Sequence, residues 1–349
     1  MFLLALEACE FYEHLREAVP TENRIATHLI RQFFHIGWHG LHFWDLIQPA
    51  FMFMAGIAMA YSLTRQTEKG FSRNQQCIRI LKRSGWLLFW GVFKRISSPD
   101  WLALEALDVT DVLTQLAFTT LIAFFLFRSS TGSLVLSCVT ILLLTEVLYR
   151  FWNVSGYNEA FTNGKNFGNW LDLVLFGQHS QGYVFINWLP TAVHTIAGLL
   201  VGKMFLAQTH RLSALLIAAA ALLLAGYGLD LAGITPIIKP IATSSFIMAS
   251  LGYCLLMVCL FYWWIDAHQH RNGLLFFQVL GMNSIFIYLF FGIVGARWLN
   301  GYVQMVTTPV FEAIGIQGGL APVLASLCTF TLEWLLCYFL YRKKIFFKL

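Results

Sequence analysis

Long apolar runs limit which folds are open to this chain. Ten stretches have the composition of helices in a lipid bilayer: 1–12, 46–64, 84–97, 110–128, 133–151, 186–205, 212–231, 243–265, 274–295 and 320–341. Charged residues make up only 12% of the chain, about half of the share in a typical soluble domain. Strand-like alternation is not evident. The sequence therefore predicts an all-α, polytopic membrane helix bundle with about ten transmembrane helices, formed by residues 1–349 as a single domain.

The placement of lysine and arginine predicts how this bundle is oriented. If the basic stretch 65–83 is a cytoplasmic loop, fourteen basic residues lie on the cytoplasmic side and nine on the other, which accounts for all 23. Cytoplasmic loops carry the excess of basic residues, so the stretches 13–45 and 152–185 are expected outside the cytoplasm and the C-terminus inside. The first residues lack a basic region and a cleavage site, and no cleavable signal peptide is predicted.

Composition also disfavours several classes of function. The net charge of +5 is modest and its basic residues suit a membrane protein, so no nucleic-acid partner is expected. The 7 cysteines form no CxxC pair and no zinc-like spacing, and we interpret them as small buried residues without a structural disulfide. Walker and GxGxxG motifs do not occur, which argues against nucleotide hydrolysis and dinucleotide redox chemistry.

The most informative polar stretch reads FHIGWHGLHFWDLIQP over residues 34–49. It holds three of the ten histidines: His35, His39 and His42. Asp45 opens the next helix, where a carboxylate suits the positive helix end and can also orient an imidazole. Histidine, with an ordinary pKa near ~6.5, takes and returns protons at neutral pH. Two interpretations stay open, a general base with a carboxylate partner and an interfacial His/Trp belt before a capped helix.

A metal site is a third interpretation of the same stretch. His35, His39 and His42 have the spacing to share one helical face. Gly37 and Gly40 make the stretch a poor helix, so no metal is expected.

Polar residues inside the apolar runs are further candidates. Asn187 stands near the start of a predicted span, and His194 lies about a turn and a half inside it, where an ionisable group either has a function or bonds to a neighbouring helix. Asn283, inside the 274–295 run, either contacts a ligand or joins two helices, and the second interpretation is favoured.

The basic stretch 65–83 likewise has two interpretations. Its charges set the topology and contact lipid head groups, or a few of them hold a phosphate-bearing cofactor. The residues in the second interpretation are Arg65, Lys82 and Arg83.

Several segments, in order along nearly the whole chain, resemble one known family. The segments are His35–Ala60 with Trp38, Gly40-Leu41, Asp45-Leu46, Pro49, Phe53 and Gly56; Asn187…Pro190-Thr191…His194-Thr195…Gly198; Thr243–Phe246; Asp266; and Gly281–Phe286. This pattern resembles the heparan-α-glucosaminide N-acetyltransferase family, and more closely its bacterial branch of inner-membrane proteins.

The resemblance implies a transmembrane acyltransferase. It would take an acetyl group from acetyl-CoA on the cytoplasmic side and move it to a glycan or amino-sugar acceptor, at an amine or hydroxyl, on the other side. His35 carries over as the catalytic histidine and Asp45 as its aspartate. The expected acceptor-site residues are Glu7, Trp38, His39, Asn187, His194 and Asn283, and the expected acetyl-CoA residues are Arg65, Lys82 and Arg83. The lipid bilayer is a further partner, and a homodimer is left open.

The sequence departs from the family pattern at three places. Trp38-His39-Gly40 stands where lysosomal members have Trp-Asn-Gly. The family's Ser-Leu-Asp…Arg-Gly opening is missing, which suggests a truncated start, and Glu7 is the residue nearest to a family asparagine without a clear counterpart. Two other classes stay open, a transporter or carrier for a sugar or lipid-linked substrate, and a structural membrane protein without chemistry.

Overall fold

A computed structural model describes residues 1–20, 22–96, 109–180, 182–209, 211–316 and 318–347. Every regular element in these ranges is a helix. The α-helices are α1 (Phe2–Ala8), α2 (Phe11–Ala18), α3 (Arg24–Arg31), α4 (Ile47–Glu68), α5 (Arg73–Ile96), α6 (Val112–Leu126), α7 (Thr131–Phe151), α8 (Phe167–Phe176), α9 (Trp188–Leu206), α10 (Leu212–Leu231), α11 (Ser244–Phe261), α12 (Leu274–Met282), α13 (Ser284–Phe290), α14 (Asn300–Ala313) and α15 (Leu320–Arg342). The predicted all-α fold is confirmed.

Seven helical segments among the described residues are long and apolar enough to cross a membrane. They are Phe43–Glu68, Thr131–Phe151, Phe185–Leu206, Leu212–Leu231, Ser244–Ala267, Ser284–Ala313 and Leu320–Arg342. Two shorter apolar helices, α6 and α8, accompany them. The chain is therefore an integral membrane protein built as a helical bundle.

The predicted loop 65–83 is shorter in the structure than the sequence suggested. Helix α4 continues to Glu68 and α5 starts at Arg73, so only a short turn separates them. Lysine, arginine and glutamine are good helix formers, which lets both helices extend into this polar stretch.

Two predicted spans are interrupted. The run 1–12 divides into α1 and α2 at Glu10, whose backbone is left-handed with φ of 61°. The run 274–295 divides at Asn283, between α12 and α13, and continues as a π-helix over Phe291–Leu299. Breaks of this kind are tolerated within a membrane when neighbouring groups satisfy the released backbone.

The described chain forms two compact units. The second unit contains His35–Ile96 and 109–268, and helices α4 and α9 form its centre.

Helices α4 and α9 cross at close range. A Cβ atom on Gly198 would lie 1.9 Å from the Phe53 carbonyl oxygen, so glycine is required where the two helices cross. Contacts of Phe53 with Gly198 and of Ile57 with Gly202 show that the two helices run parallel. Their N-terminal ends therefore meet, and these ends carry Asp45 and Asn187.

The first unit contains Met1–Phe34 and Gln269–Leu349. Phe2, Phe276 and Phe330 pack edge to face or tilted in its interior. The side-chain amide of Asn283 donates to the Ile345 carbonyl at 3.1 Å and accepts from the Phe347 amide at 2.9 Å. Asn283 thus fixes the C-terminal segment at the break between α12 and α13.

Candidate active site

His35 and Asp45 form a pair at the entrance of the Phe43–Glu68 span. His35 Nδ1 lies 2.9 Å from Asp45 Oδ1. The histidine side chain is 58% exposed and the aspartate side chain 1% exposed. Because a carboxylate only accepts hydrogen bonds, Nδ1 carries the proton and Nε2 is the proton acceptor of the ring. The imidazole of His35 is therefore a base at the surface of the unit, and its hydrogen bond to the buried Asp45 fixes its orientation.

The two oxygens of Asp45 have separate tasks. Oδ2 accepts the backbone N–H groups of His42 at 3.0 Å and Ile36 at 3.3 Å, while Oδ1 faces His35. The residues between His35 and the helix are not helical, as expected from Gly37 and Gly40. Asp45 therefore caps the helix and orients the imidazole, so the two predicted roles of this carboxylate occur together.

Lys239 completes the group, and sequence reasoning missed it. Its ammonium group donates to Asp45 Oδ1 at 3.1 Å and lies 3.2 Å from His35 Nδ1. Since Nδ1–H and the ammonium are both donors, Asp45 is the acceptor they share and the Lys239–His35 approach is a contact between donors. Lys239 stands 194 residues from Asp45 in the sequence. No local pattern connects the two residues, so Lys239 was counted only among the nine basic residues on the non-cytoplasmic side.

The side chain of Lys239 is 7% exposed, so it forms a buried ion pair with Asp45. The ammonium also lies 5.5 Å from the centre of the Tyr183 ring. Burial raises the pKa of the Tyr183 phenol, although the nearby Lys239 opposes this shift. Tyr183 therefore stays neutral at physiological pH and offers Lys239 an aromatic face.

The loop that carries Lys239 is held by polar side chains. Asn187 donates to the carbonyl oxygens of Lys239 at 2.9 Å and Pro240 at 2.8 Å. The hydroxyl groups of Thr243 and Ser245 both donate to the Pro236 carbonyl, at 2.7 and 2.8 Å. The predicted substrate residue Asn187 is fully buried, and its contacts position Lys239.

Behind this group lies a buried cluster of amides. Gln48 donates to Gln115 and, at 3.2 Å, to Asn187. All three side chains are at most 2% exposed, and the Gln48 Oε1 atom has no hydrogen-bond partner among the described residues. The cluster joins the N-terminal ends of α4, α6 and α9, and Gln48 stands three residues after Asp45 in the sequence.

A second His–Asp pair lies on the same loop. His39 Nε2 is 2.7 Å from Asp230 Oδ1, and the His39 side chain is 58% exposed. Asp230 also accepts the Ile237 backbone N–H at 2.8 Å. Gly40, with φ of +115°, donates its backbone N–H to Ile237 at 2.8 Å, which ties the histidine loop to the loop of Lys239.

Other predicted site residues have different surroundings. Trp38 lies on the same loop as His35 and donates its indole N–H to the Phe161 carbonyl at 2.7 Å. His194 is fully buried in α9 and bonds to Ser250 of α11 at 2.8 Å, as in the helix-pairing interpretation. Glu7 is exposed on α1 and, like Asn283, belongs to the first unit.

The predicted acetyl-CoA residues lie along helices. Arg65 occupies the last turn of α4 and is exposed. Lys82 and Arg83 lie about 14 Å along α5 from its first residue, at 1.5 Å per residue. Arg65 stands twenty residues after Asp45, or about 30 Å of helix, which is the thickness of a bilayer core. Arg65 and Asp45 thus mark opposite ends of the Phe43–Glu68 segment.

The described residues contain no group of three or more His, Cys, Asp or Glu side chains arranged to hold a metal ion. His35 and His39 instead each face a separate carboxylate, Asp45 and Asp230. The chemistry available here is proton transfer at an exposed imidazole whose partner is buried.

Comparison with known proteins gives one family. Residues 26–229, more than half of the chain, match the catalytic region of heparan-alpha-glucosaminide N-acetyltransferase. The match includes His35, Asp45, Asn187 and His194, and it ends ten residues before Lys239. Individually curated proteins give no significant match.

Proposed function

The chain belongs to the heparan-α-glucosaminide N-acetyltransferase catalytic family, and from this premise we propose that it moves an acetyl group from cytoplasmic acetyl-CoA to a sugar amine or hydroxyl outside the cytoplasm. Family membership gives a transmembrane acetyltransferase. The donor, the acceptor and the role of His35 are the proposed part. One observation carries the proposal: an exposed imidazole is held by a buried carboxylate within the matched region.

In the proposed reaction His35 is the general base. Nε2 takes the proton from the acceptor amine or hydroxyl. At the same time the acceptor's nitrogen or oxygen attacks the thioester carbonyl carbon of acetyl-CoA. The carbon–sulfur bond breaks, the acetyl group stays on the acceptor, and the imidazolium returns the proton to the departing CoA thiolate. Asp45 holds the tautomer that this step needs, and it faces the imidazolium when the proton arrives.

The donor and acceptor are proposed to approach from opposite ends of α4. Arg65, Lys82 and Arg83 supply positive charge for the CoA phosphates, which Arg and Lys bind through charge-assisted hydrogen bonds. The buried amides of Gln48, Gln115 and Asn187, which bond to one another, are proposed to face the pantetheine arm when it enters. The exposed Trp38–His39 turn is proposed to receive the acceptor, with Glu7, His194 and Asn283 as outlying candidates.

This arrangement also defines the proposed orientation. The His35 end of α4 would face away from the cytoplasm and the C-terminus would lie inside, as the distribution of basic residues predicts. The inner membrane of a bacterium is proposed from the resemblance to the bacterial branch of the family.

The test measures transfer of labelled acetyl from acetyl-CoA to amino sugars and oligosaccharides in proteoliposomes. His35→Ala is expected to lower the rate by about 10²–10⁴-fold, the usual contribution of a general base. His28→Ala, an exposed histidine on α3, is the matched control. Equal activity of wild type and His35→Ala would remove His35 from the mechanism. Sugar flux without any dependence on acetyl-CoA would instead identify a transporter.

A further inference from the structure

A buried carboxyl group in the first unit has an unusual shortage of partners. Glu333 is 1% exposed and lies near the middle of the 23-residue helix α15. Its Oε2 atom accepts a hydrogen bond from the Cys9 thiol at 3.1 Å. Its Oε1 atom has no hydrogen-bond partner within the described part of the chain. An ionisable group inside a span is costly, and such groups usually have a function.

A second unpartnered oxygen belongs to the same cluster. Asn300 is 2% exposed and donates to the Ala8 carbonyl at 2.7 Å, next to Cys9 in the chain. Its Oδ1 atom is buried and, among the described residues, also without a partner. Cys9 therefore bonds Glu333 while the preceding residue bonds Asn300, which places both side chains beside the break between α1 and α2.

The backbone around the two oxygens is shaped for close approach. The π-helix Phe291–Leu299 brings Gly295 against Glu333, where an added Cβ would lie 2.5 Å from Oε1. The N–H of Asn300 bonds to the Gly295 carbonyl, so these two residues are neighbours on the π-helix. π-Helical turns are frequent at functional sites, and interrupted helices inside membranes often coordinate cations.

Polar side chains continue from the cluster toward the surface of the unit. Glu10, adjacent to Cys9, has a side chain that is 44% exposed. It accepts from Gln304 at 3.3 Å, and Gln304 lies one turn after Asn300 on α14. Glu10 and Gln304 therefore add polar side chains next to the buried pair, and Glu10 is exposed.

We propose that Glu333 and Asn300 form a buried binding site for a small monovalent cation, with Na⁺ as the test ion. One carboxylate and one neutral amide oxygen supply a single negative charge and hard oxygen ligands, which suit a monovalent ion better than a divalent one. The site lies outside the region matched by the acetyltransferase family, and the inference does not depend on the proposed function.

The first experiment uses the purified full chain in detergent. Glu333 is labelled with dicyclohexylcarbodiimide, an apolar reagent for buried carboxyl groups, in sodium chloride or in choline chloride at equal ionic strength. The adduct on the peptide that contains Glu333 is measured by mass spectrometry. Sodium at ten times its Kd leaves only about one tenth of the sites empty. Labelling is therefore expected to slow about tenfold, because the reagent reacts only with Glu333 in the empty site. Equal labelling in both salts overturns the proposal.

The second measurement compares variants by thermal unfolding. Sodium is expected to raise the midpoint of the wild type and not that of Glu333→Gln or Asn300→Ala. Gly295→Ala should also lose the sodium effect, whereas Gly301→Ala should keep it because no atom lies within 4 Å of a Cβ at that position. A wild-type midpoint that does not respond to sodium means that the oxygens contact water alone, and this result overturns the proposal even if the variants fail to fold.

Discussion

Asp45 and Glu333 are both 1% exposed carboxyl groups in a membrane protein, but they differ in what surrounds them. Asp45 receives the N–H groups of two backbone amides, the imidazole of His35 and the ammonium of Lys239. Among the described residues, Glu333 receives a hydrogen bond from the Cys9 thiol alone. A buried charge is tolerated when it is paired and hydrogen-bonded, and only Asp45 meets this condition with the protein's own groups.

The different partners of Asp45 and Glu333 indicate two different roles for a buried carboxyl group. The charge of Asp45 is balanced internally, so its remaining effect is to hold and orient an exposed base. Within the described residues the Oε1 atom of Glu333 has no partner, and the proposed cation would supply one. The contrast therefore predicts opposite responses to the same kind of substitution, which can be measured at both positions.

The largest effect is expected for Asp45→Asn on acetyl transfer. The amide can donate a hydrogen bond to Nδ1, which would place the proton on Nε2 and remove the base, so the rate should fall by about 10³–10⁴-fold. Glu159→Gln is the control, because Glu159 is an exposed carboxylate paired with Lys165 at 3.0 Å. An Asp45→Asn enzyme with a rate within a few-fold of wild type would mean that Asp45 only caps the helix.

The next effect concerns stability and Lys239. Lys239→Met leaves the Asp45 carboxylate buried without its cation and should lower the free energy of unfolding by about 3–5 kcal/mol. The double variant Lys239→Met/Asp45→Asn should recover much of this loss, since the buried charge is gone. Lys165→Met, which opens the exposed pair, should change stability little. Additive effects in the double variant would show that the two groups do not interact.

Glycine substitutions compare the rigidity of the two environments. Gly198→Ala pushes a methyl group against the Phe53 backbone and should cost about 1–3 kcal/mol or more, because two packed helices must separate. Gly295→Ala meets the end of the Glu333 side chain, which can move, and should cost less. Gly228→Ala, in open space on α10, is the control for thermal unfolding. The reverse order would indicate that Glu333 is held as firmly as Asp45.

The smallest effect is expected for Glu333→Gln in sodium-free buffer. The substitution removes the charge of Glu333 and changes its hydrogen bond with the Cys9 thiol. The free energy of unfolding should therefore change by less than about 1 kcal/mol. Glu17→Gln, an exposed acid on α2, provides the comparison. A loss as large as that of Lys239→Met would reveal that Glu333 already has a strong partner, and the contrast with Asp45 would disappear.

The sequence was sufficient for the fold class because apolar length and low charge leave few alternatives to a helical membrane bundle. It was less reliable where helices continue through polar residues, as at 65–83, since composition alone does not show where a helix leaves the membrane. The breaks at Glu10 and Asn283 were also missed. They depend on bonds to residues far along the chain, and no local signal marks them.

The site was predictable to the extent that it is local. His35 and Asp45 stand ten residues apart, and their pairing follows from a short polar stretch before a helix. Lys239 and Asp230 come from distant segments, and each looks like an ordinary charge near the end of a span. The resemblance had included Thr243–Phe246, and the hydroxyls there hold the Lys239 loop, so this segment was the available signal.

The distance of 194 residues between Asp45 and Lys239 also affects biosynthesis. At about 5–20 residues per second, the ribosome needs roughly 10–40 s to add the lysine after the aspartate has been made. During this time the first helices enter the bilayer with an acid that has no cation beside it. The ion pair can therefore form only after the loop between α10 and α11, which carries Lys239, has been made.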